Sequence, residues 1–468
     1  PPPPLRAPPL TPPLPPLPKP PPPSHLPPRS SIAMIDTTRE RAQALDLEFP
    51  GLRARFHVPV GPTGQPLIYL CGNSLGLQPK VTRALVNEEL DDWATLGVEG
   101  HFQGRRPWYS YHEPPQASLG RLVGALPHEV VPMNGLTTNL HLLMVSFYRP
   151  TPQRYRILIE GGAFPSDRYA VASQARFHGF DPEDAVVALH PRDGESNLRT
   201  EDVQAWLAEH GDTCALVMMG GVHYYTGQWH NMSAITTAGH AAGALVGWDL
   251  AHAAGNVPLQ LHDDDVDFAA FCSYKYLNSG PGSVAVAFVH DRWSGRTDLP
   301  RFEGWWGTDP ATRFEMGPTF DPQIGAGAWQ LSNAPVFTIA PLLASLTLFD
   351  EVGMDWVRTR SLALTDYLLA LLGTVADGHF SVITPSAHAA RGSQLSLRVP
   401  DKAKELHQAL MDAGVVCDYR VPDVIRLAPA PLYNGYEDLW RFAEIFGRVV
   451  GPEPGVDTAT RQSTCLRT

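Results

Sequence analysis

The chain has 468 residues, of which 43% are hydrophobic and 18% are charged, a composition typical of a folded protein of two or three domains. Its 36 basic and 48 acidic residues give a net charge of -12 at pH 7. This acidic balance argues against nucleic acid and anionic membrane surfaces as partners, because both are negatively charged.

The cysteines also narrow the class of protein. Five cysteines are scattered along the chain without any C-x-x-C spacing, which indicates neither a zinc ribbon nor a disulfide framework. Such cysteines are usual in a reducing compartment, so we expect a cytoplasmic protein. No apolar run approaches the roughly 18 residues that a membrane helix needs, and no signal-peptide pattern stands near the N-terminus, so we expect neither feature.

The N-terminal segment has a composition of its own, with 17 prolines in its first 30 residues. A segment with so little to bury forms polyproline II helix or stays disordered. We interpret residues 1–34 as a disordered extension. It is either a ligand for an SH3-type domain or a non-native addition, since the first methionine is Met34. The fold is predicted to begin near residue 35.

The middle of the chain alternates strand-like and helix-like segments. Short apolar runs ending in glycine or polar residues predict buried strands, as in "RYRILIEGG", "CALVMMGGV", "LVGWDLAHAAG", "DFAAFCSYKY" and "GSVAVAFVH". Helical segments such as "TEDVQAWLAEHG" separate them. Buried strands alternating with helices indicate an α/β fold with a mostly parallel sheet covered by helices. We assign residues 35–335 to this large domain, which should bind ligands at the carboxyl ends of its strands.

The last third of the chain has a different pattern. A long helical stretch near 340–372 comes first, then a strand at 394–399 and a helix at 401–413. Two short strands around 415–427 and a final helix near 436–449 follow. These elements predict a smaller α+β domain over residues 336–450, and residues 451–468 a flexible tail.

Three polar signals fall on predicted loops at strand ends. Asp249 and His252 follow one strand, Lys275 follows the next, and Leu136-Thr137 opens a helix. A lysine forms a Schiff base with an aldehyde, a carboxylate pairs with a pyridinium nitrogen, and a helix N-terminus holds a phosphate. Together these are the groups that pyridoxal 5'-phosphate (PLP) requires.

Each of these signals has a plainer interpretation. A lysine near a strand end is usually a surface side chain whose stem lies on apolar neighbours. Asp249 would serve equally as a helix cap, and His252 as a hydrogen-bonded core histidine. The order of the signals along one predicted sheet is therefore more specific than any single member.

Several longer segments resemble the kynureninase family. They are "YLCGNSLGLQP", "GHFQGRRPW", "MNGLTTNLHLL", "EGGAFPSDRYA", "GVHYYTGQ", "GWDLAHAAGNVPLQLHDDDVDFAAFCSYKYLNSGPG", "GWWG", "QLSNAP" and "IRLAPAPLYN". The resemblance runs from about residue 37 to residue 450. It implies a homodimeric PLP enzyme of fold type I, with a seven-stranded sheet. Such enzymes hydrolyse kynurenine or 3-hydroxykynurenine to L-alanine and anthranilate or 3-hydroxyanthranilate.

The resemblance also implies roles for particular residues, and no metal. Lys275 would bind the PLP aldehyde, and Asp249 would contact the pyridine nitrogen. The other implied cofactor contacts are Leu136, Thr137, Phe164, Pro165, Ser166, Asp167, His252 and Tyr274, with Trp305 and Asn333 approaching from a second subunit. The implied substrate contacts are Asn73, Ser74, His101 and Arg426.

Two positions within the resemblance leave questions open. Gly220 stands where a small hydroxyl residue is expected, which puts one cofactor hydrogen bond in question. Tyr224 and Tyr225 would either donate protons in the reaction or pack as strand-end aromatics.

Three alternatives remain at this stage. An aminotransferase would share the same motifs. A cysteine desulfurase would need a nucleophilic cysteine on a mobile loop, and neither Cys417, in a predicted strand, nor Cys465, in the tail, suits that role. A non-catalytic scaffold would use its proline-rich arm to bind partners.

Overall fold

The computed structural model describes residues 35–375 and 378–450. The extension predicted for residues 1–34 and the tail predicted for 451–468 lie outside the described residues, as does Cys465. The α-helices are α1 Arg39–Glu48, α2 Thr82–Leu96, α3 Gly100–Gln103, α4 Gln116–Val123, α5 Leu136–Phe147, α6 Pro165–Phe177, α7 Pro182–Ala185, α8 Thr200–His210, α9 Met232–Ala241, α10 Val336–Leu372, α11 Ala403–Asp412 and α12 Tyr436–Val450.

The strands are mostly short. They are β1 Phe56–His57, β2 Ile68–Tyr69, β3 Gln78–Pro79, β4 Val130–Pro132, β5 Arg156–Glu160, β6 Val186–Leu189, β7 Cys214–Gly220, β8 Leu245–Asp249, β9 Phe268–Cys272, β10 Ala285–Val289, β11 Ser381–Val382, β12 Leu395–Arg398, β13 Val415–Val416, β14 Asp418–Arg420 and β15 Val424–Leu427. Single 3-10 turns occur at Arg53–Arg55, Gly97–Glu99, Trp108–Ser110, Pro127–Glu129, Asp291–Trp293, Trp305–Gly307, Arg313–Glu315, Gly325–Trp329 and His388–Ala390.

Seven strands form the central sheet in the order β4-β10-β9-β8-β7-β5-β6. The five strands from β9 to β6 are parallel to one another, whereas β10 is antiparallel to both of its neighbours. The predicted α/β fold with a mostly parallel seven-stranded sheet is confirmed.

Both faces of this sheet are buried. In β7 the side chains of Leu216 and Met218 join one apolar cluster, and those of Val217 and Met219 join another. Helices α5 and α6 supply the first cluster, and α4, α8 and α9 contribute to the second. Burying one such side chain fully stabilises the fold by about 1.5–3 kcal/mol, which explains why these strands read as continuous apolar runs.

The smaller domain has a four-stranded antiparallel sheet in the order β11-β12-β15-β14. The strand predicted at 394–399 is β12, and the helices predicted at 401–413 and 436–449 are α11 and α12. The N-terminal segment also reaches this domain, because β2 pairs with β13 and Ala42 of α1 lies in the same core.

Helix α10 joins the two cores. Its first half places Ile339 and Leu342 in the core of the central sheet, and its second half places Leu364 and Leu368 in the smaller core. Gly353 has a φ of 77°, which breaks the helix between these halves. Because α10 belongs to both cores, the proposed division between residues 335 and 336 stays a prediction.

The same helix corrects one expectation from the sequence. Among the described residues, Val336–Leu372 is the one helix that is long and apolar enough to cross a membrane, with a mean hydropathy of 1.4 over its best 18-residue window. The statement that no stretch approaches this length was therefore wrong. Of that window, 44% is buried inside the protein, which favours a core helix shared by two domains.

Candidate active site

A cavity of about 400 Å³ lies where the carboxyl ends of the central strands face the smaller sheet. Strands β5, β7 and β8, the turn after β9 and the first turns of α5 and α6 form most of its wall. Its lining residues are Asn73, Ser74, Gly135, Leu136, Thr137, Thr138, Glu160, Phe164, Ser166, Asp167, Gly220, Val222, Tyr224, Asp249, Ala251, His252, Tyr274, Lys275, Arg420 and Arg426.

Lys275 enters this cavity from the turn that follows β9. Its Nζ lies 3.1 Å from Nε2 of His252, which sits in the turn after β8. Burial, and then the charge of Lys275, hold the pKa of His252 well below its ordinary value. The imidazole is therefore neutral, and it accepts a hydrogen bond from the lysine ammonium.

Two buried aspartates face the lysine. Burial raises the pKa of Asp249, while Lys275 and the backbone N–H of Ala251, 2.7 Å from Oδ1, oppose that rise. Burial and the charge of Asp249 raise the pKa of Asp167 further. We infer that Asp167 is protonated and that its O–H donates a hydrogen bond to Asp249. Asp249 is then the ionised member of the pair.

Two helix N-termini meet on the opposite wall. Helix α5 begins at Leu136 with an extended Gly135 before it, and no side chain caps its first turn. Helix α6 begins beside it, and Oγ1 of Thr137 lies 2.7 Å from Oγ of Ser166. Free backbone N–H groups, hydroxyl groups and two positive dipole ends make this wall suited to a phosphate.

The smaller domain contributes two arginines and an aspartate. The buried Arg426 donates to Asp418 through Nε at 3.1 Å and Nη2 at 2.6 Å, and to the carbonyl of Tyr224 through Nη1 at 2.7 Å. Arg420 donates to the same carboxylate at 3.0 Å. The three side chains together carry one net positive charge, which suits the binding of a carboxylate ligand.

The N-terminal loop closes the remaining side. The buried Asn73 donates from Nδ2 to Gln394 at 2.9 Å, and its Oδ1 has no hydrogen-bond partner among the described residues. Ser74 donates to Asp418 at 3.2 Å. The loop is thereby anchored to the smaller domain while it lines the cavity.

Comparison with other proteins identifies the family. Residues 357–446 match the kynureninase C-terminal domain. The chain is 55% identical over 413 residues to a kynureninase of Myxococcus xanthus, which covers 88% of this chain and 97% of the relative. It is 57% identical over 414 residues to a kynureninase of Salinispora tropica, covering 87% and 96%. The chain belongs to the kynureninase family.

Solved structures with the same fold are more distant. The mutant C-DES with glycine covalently linked to its PLP cofactor is 17% identical with a TM-score of 0.71, covering 84% of this chain and 98% of that one. A cysteine desulfurase from Thermococcus onnurineus is 15% identical with a TM-score of 0.69, covering 85% and 97%. At these identities the similarity supports the fold alone.

Four residues that the kynureninase resemblance implicated do not line the cavity of their own chain. Pro165 is the exposed first residue of α6, although its neighbours on both sides line the cavity. Trp305 is 42% exposed and donates from Nε1 to the carbonyl of Arg313. Asn333 lies in an exposed loop. His101 contacts Trp108 and bonds to the carbonyl of Val98.

The lining residues that were not singled out from the sequence include Glu160, Val222 and Arg420. Glu160 had an available signal, since it is a carboxylate at the end of the predicted strand "RYRILIEGG". Arg420 had none, because its approach to Arg426 depends on the pairing of β14 with β15.

One group elsewhere brings together possible metal ligands, at the opposite edge of the sheet. Ligand atoms of Glu129, His262 and His290 lie within 4.8 Å of one another. In the structure, however, Glu129 accepts from His262 at 2.9 Å, and His290 Nδ1 accepts from the N–H of Arg292 at 3.1 Å. Because these atoms already donate or accept hydrogen bonds within the protein, we interpret the group as a structural hydrogen-bond network.

Proposed function

We propose that this protein is a PLP-dependent hydrolase that cleaves L-kynurenine to anthranilate and L-alanine, and 3-hydroxy-L-kynurenine to 3-hydroxyanthranilate and L-alanine. The observation that carries the proposal is the convergence of Lys275, Asp249, the start of α5 and Arg426 on one cavity of about 400 Å³. The kynureninases that are more than half identical to the chain over nearly their whole length support the same reaction.

The residues present fit PLP. Oδ1 of Asp167 and Nδ1 of His252 are buried without a hydrogen-bond partner in the described part of the chain, so polar capacity remains for a ligand. The uncapped start of α5 offers free N–H groups to a phosphate. When bound, PLP would supply an electron sink for the bond that breaks.

Each residue then has a task that its position supports. Lys275 would hold the PLP aldehyde, and its amine is placed to take the proton from the substrate Cα. Asp249 would pair with the ring nitrogen, and the neutral His252 orients Lys275 by accepting its hydrogen bond at 3.1 Å. Thr137, Ser166 and the two helix N-termini would hold the phosphate, and Phe164 would contact the ring. Tyr224 and Tyr274 line the remaining wall.

The substrate carboxylate would bind at the smaller domain. Arg426 presents a planar fork that matches a carboxylate, and Arg420 adds a second positive group. Both now bond to Asp418. Because the trio keeps one net positive charge, the incoming carboxylate can share these donors, while Asn73 and Ser74 close the site from the N-terminal side.

The direct test uses purified protein, PLP and L-kynurenine, with no keto acid. We expect equal amounts of alanine and anthranilate, and an absorbance band of bound cofactor that borohydride reduction removes. An absolute need for a keto acid would indicate an aminotransferase instead, and sulfide release from cysteine a desulfurase. Absence of the band would favour a non-catalytic scaffold.

We also propose that a second copy of the chain completes the site. The support is an exposed aromatic pair, Trp305 at 42% and Phe314 at 54% exposure, whose ring centroids lie 5.5 Å apart. A surface of this kind usually lies in an interface. Asn333 is exposed in a loop nearby in sequence. A homodimer would bring Trp305 and Asn333 to the partner's cavity, since they do not reach their own.

Mixed protomers test the shared site. Lys275→Ala and Asn333→Ala should each be inactive as pure proteins, and subunit exchange should restore one intact site per hybrid. Exchange is confirmed separately by differently tagged copies. Lack of any recovered activity after confirmed exchange would contradict a shared site.

The 3-hydroxylated substrate is the preferred one under our proposal. Nδ1 of His101 lies 3.0 Å from the carbonyl of Val98, so Nδ1 carries the proton and Nε2 is left as an acceptor. In the dimer this nitrogen and Asn333 would bond to a phenolic hydroxyl. One such bond is worth about 0.5–1.5 kcal/mol, or roughly a tenfold preference. His101→Phe should reduce the ratio of the two kcat/KM values, and an unchanged ratio would exclude this role.

The compartment is proposed to be the cytoplasm. The four described cysteines are all free thiols, which suits a reducing environment. The acidic net charge of -12 supports small-molecule substrates over nucleic acid as partners.

A further inference from the structure

Glu160 is an acidic residue of the main cavity that has no task in the proposed reaction. It ends β5, its side chain is 4% exposed, and it lines both the main cavity and a second cavity of about 290 Å³. Tyr224 is the other residue that both cavities share. Glu160 thus stands in the partition between the two cavities.

Backbone groups hold the carboxylate in this place. Both of its oxygens lie 3.2 Å from the N–H of Gly220, the last residue of β7. A Cβ added to Gly220 would lie 3.0 Å from Oε1 of Glu160. Glycine at this position, where the sequence led us to expect a small hydroxyl residue, therefore leaves the space that the carboxylate occupies.

Other charged groups surround Glu160. It shares the main cavity with Asp167 of α6, Asp249 of β8 and Lys275 after β9. The remaining cations of that cavity, Arg420 and Arg426, are paired with Asp418. Lys275 is therefore the cation of this cavity that is not paired with Asp418, and it shares the cavity with the three buried acids Glu160, Asp167 and Asp249.

The second cavity offers little positive charge to balance the negative charge of Glu160. It is lined by His190, His223 and Arg398 among its titratable groups, together with Tyr224 and Tyr225. Burial lowers the pKa of His223 to about 4, so it is neutral near pH 7. Arg398 has Asp423 as a neighbour, at 3.6 Å.

Burial in this setting makes the charge of Glu160 depend on pH in the physiological range. Loss of hydration raises its pKa to about 7, the Gly220 N–H opposes the rise, and the charge of Asp249 adds to it. The charge of Glu160 in turn raises the pKa of Asp167. The protonation of each of these three acids therefore depends on the other two.

We propose that Glu160 is a positioning residue of the cofactor site, whose negative charge acts with that of Asp249 to keep positive charge on the ring nitrogen and on the nitrogen of Lys275. This inference rests on the proposed function, since it requires PLP in the main cavity. It assigns Glu160 an electrostatic role beyond its hydrogen bond to Gly220.

Three substitutions separate the charge from the hydrogen bond. Glu160→Gln keeps the size and can still accept from the Gly220 N–H, but removes the charge. Glu160→Asp keeps the charge and shortens the reach. Gly220→Ala keeps the glutamate and displaces its carboxylate. The readout is the absorbance of PLP bound to the holoenzyme, titrated from pH 5 to pH 10.

A nearby negative charge stabilises protonated forms, so its removal lowers the pH of the spectral transition. We expect a downward shift on the order of one pH unit in Glu160→Gln. Glu160→Asp and Gly220→Ala should shift less. A Glu160→Gln titration that coincides with wild type, in a protein of normal circular dichroism, would overturn the proposal and leave Glu160 a structural hydrogen-bond acceptor. If Glu160→Gln does not fold, a Gly220→Ala titration identical to wild type would overturn it equally.

Failure of this inference can be told apart from failure of the proposed function. If wild type binds no PLP or releases no alanine from kynurenine, the function itself is wrong. If wild type does both while the Glu160→Gln titration is unchanged, only the role of Glu160 is wrong.

Discussion

The two edges of the central sheet treat buried acids in opposite ways. At the amino-terminal edge, the carboxylate of Asp267 accepts from the N–H of Val246 at 2.7 Å and from Arg292 at 2.7 Å. His240 and the indole of Trp293 add two more hydrogen bonds, at 2.9 and 3.0 Å. These partners outweigh burial and lower the pKa of Asp267.

At the carboxyl-terminal edge the acids have few partners. Asp249 accepts from one backbone N–H, Glu160 from one, and Oδ1 of Asp167 from none among the described residues. Burial therefore dominates and raises the pKa of all three. The contrast indicates that the first edge is built for stability, whereas the second keeps electrostatic capacity for a ligand.

The largest expected effect lies at the carboxyl-terminal edge. Lys275→Ala should lose the covalent cofactor and lower alanine formation by about three orders of magnitude or more, because the residue that binds the aldehyde and moves the proton is gone. The exposed Lys404→Ala serves as the matched control and should retain wild-type activity. Normal turnover by Lys275→Ala would contradict the assignment of Lys275 as the residue that binds the PLP aldehyde.

The same substitution at both edges sharpens the comparison. Asp267→Asn should lower the free energy of unfolding by about 3 kcal/mol, because it leaves Arg292 and His240 without their carboxylate. Asp249→Asn should leave the stability of the cofactor-free protein equal or higher, since it removes a poorly compensated buried charge, yet it should weaken PLP binding. Denaturant titration and PLP titration measure both effects, and equal destabilisation by both variants would undo the contrast.

Arg426 is expected to show a medium effect on binding. Arg426→Lys should lower kcat/KM for kynurenine about 10- to 100-fold, mainly through KM, because an ammonium cannot form the two parallel hydrogen bonds of a guanidinium. Arg398→Lys, at a residue that lines only the second cavity, is the control. Comparable losses in the two variants would place the carboxylate elsewhere.

The smallest effect concerns the pH dependence of stability without cofactor. The pKa of Glu160 is raised to about 7 in the fold, so its contribution to stability is lost as pH rises from about 5 to 8. Glu160→Gln should therefore gain about 1–3 °C in Tm relative to wild type over that range.

The pKa of Asp267 is lowered, so its contribution to stability is instead lost as pH falls below about 4. Thermal scans at several pH values test both signs, and parallel curves for wild type and Glu160→Gln would contradict the first.

Some of the site could be predicted because its signals are local. Asp249 ends a buried strand, Lys275 follows another, and Leu136-Thr137 opens a helix, so their places at one edge of a parallel sheet follow from the order of the elements. Their roles toward PLP stay proposals. The apolar pattern of α10 was harder to interpret, because local hydropathy cannot distinguish a helix shared by two cores from one that spans a membrane.

The sequence by itself determined the fold class, the alternation of strands and helices, and the family, because these depend on periodic burial and on contiguous motifs. Tertiary structure alone decided which charges were left without partners. Arg420 reaches Arg426 only through the pairing of β14 with β15, and Glu160 reaches Gly220 across 60 residues of chain. The reason is physical: desolvation and Coulomb energies depend on distances in space, which residue spacing along the chain does not fix.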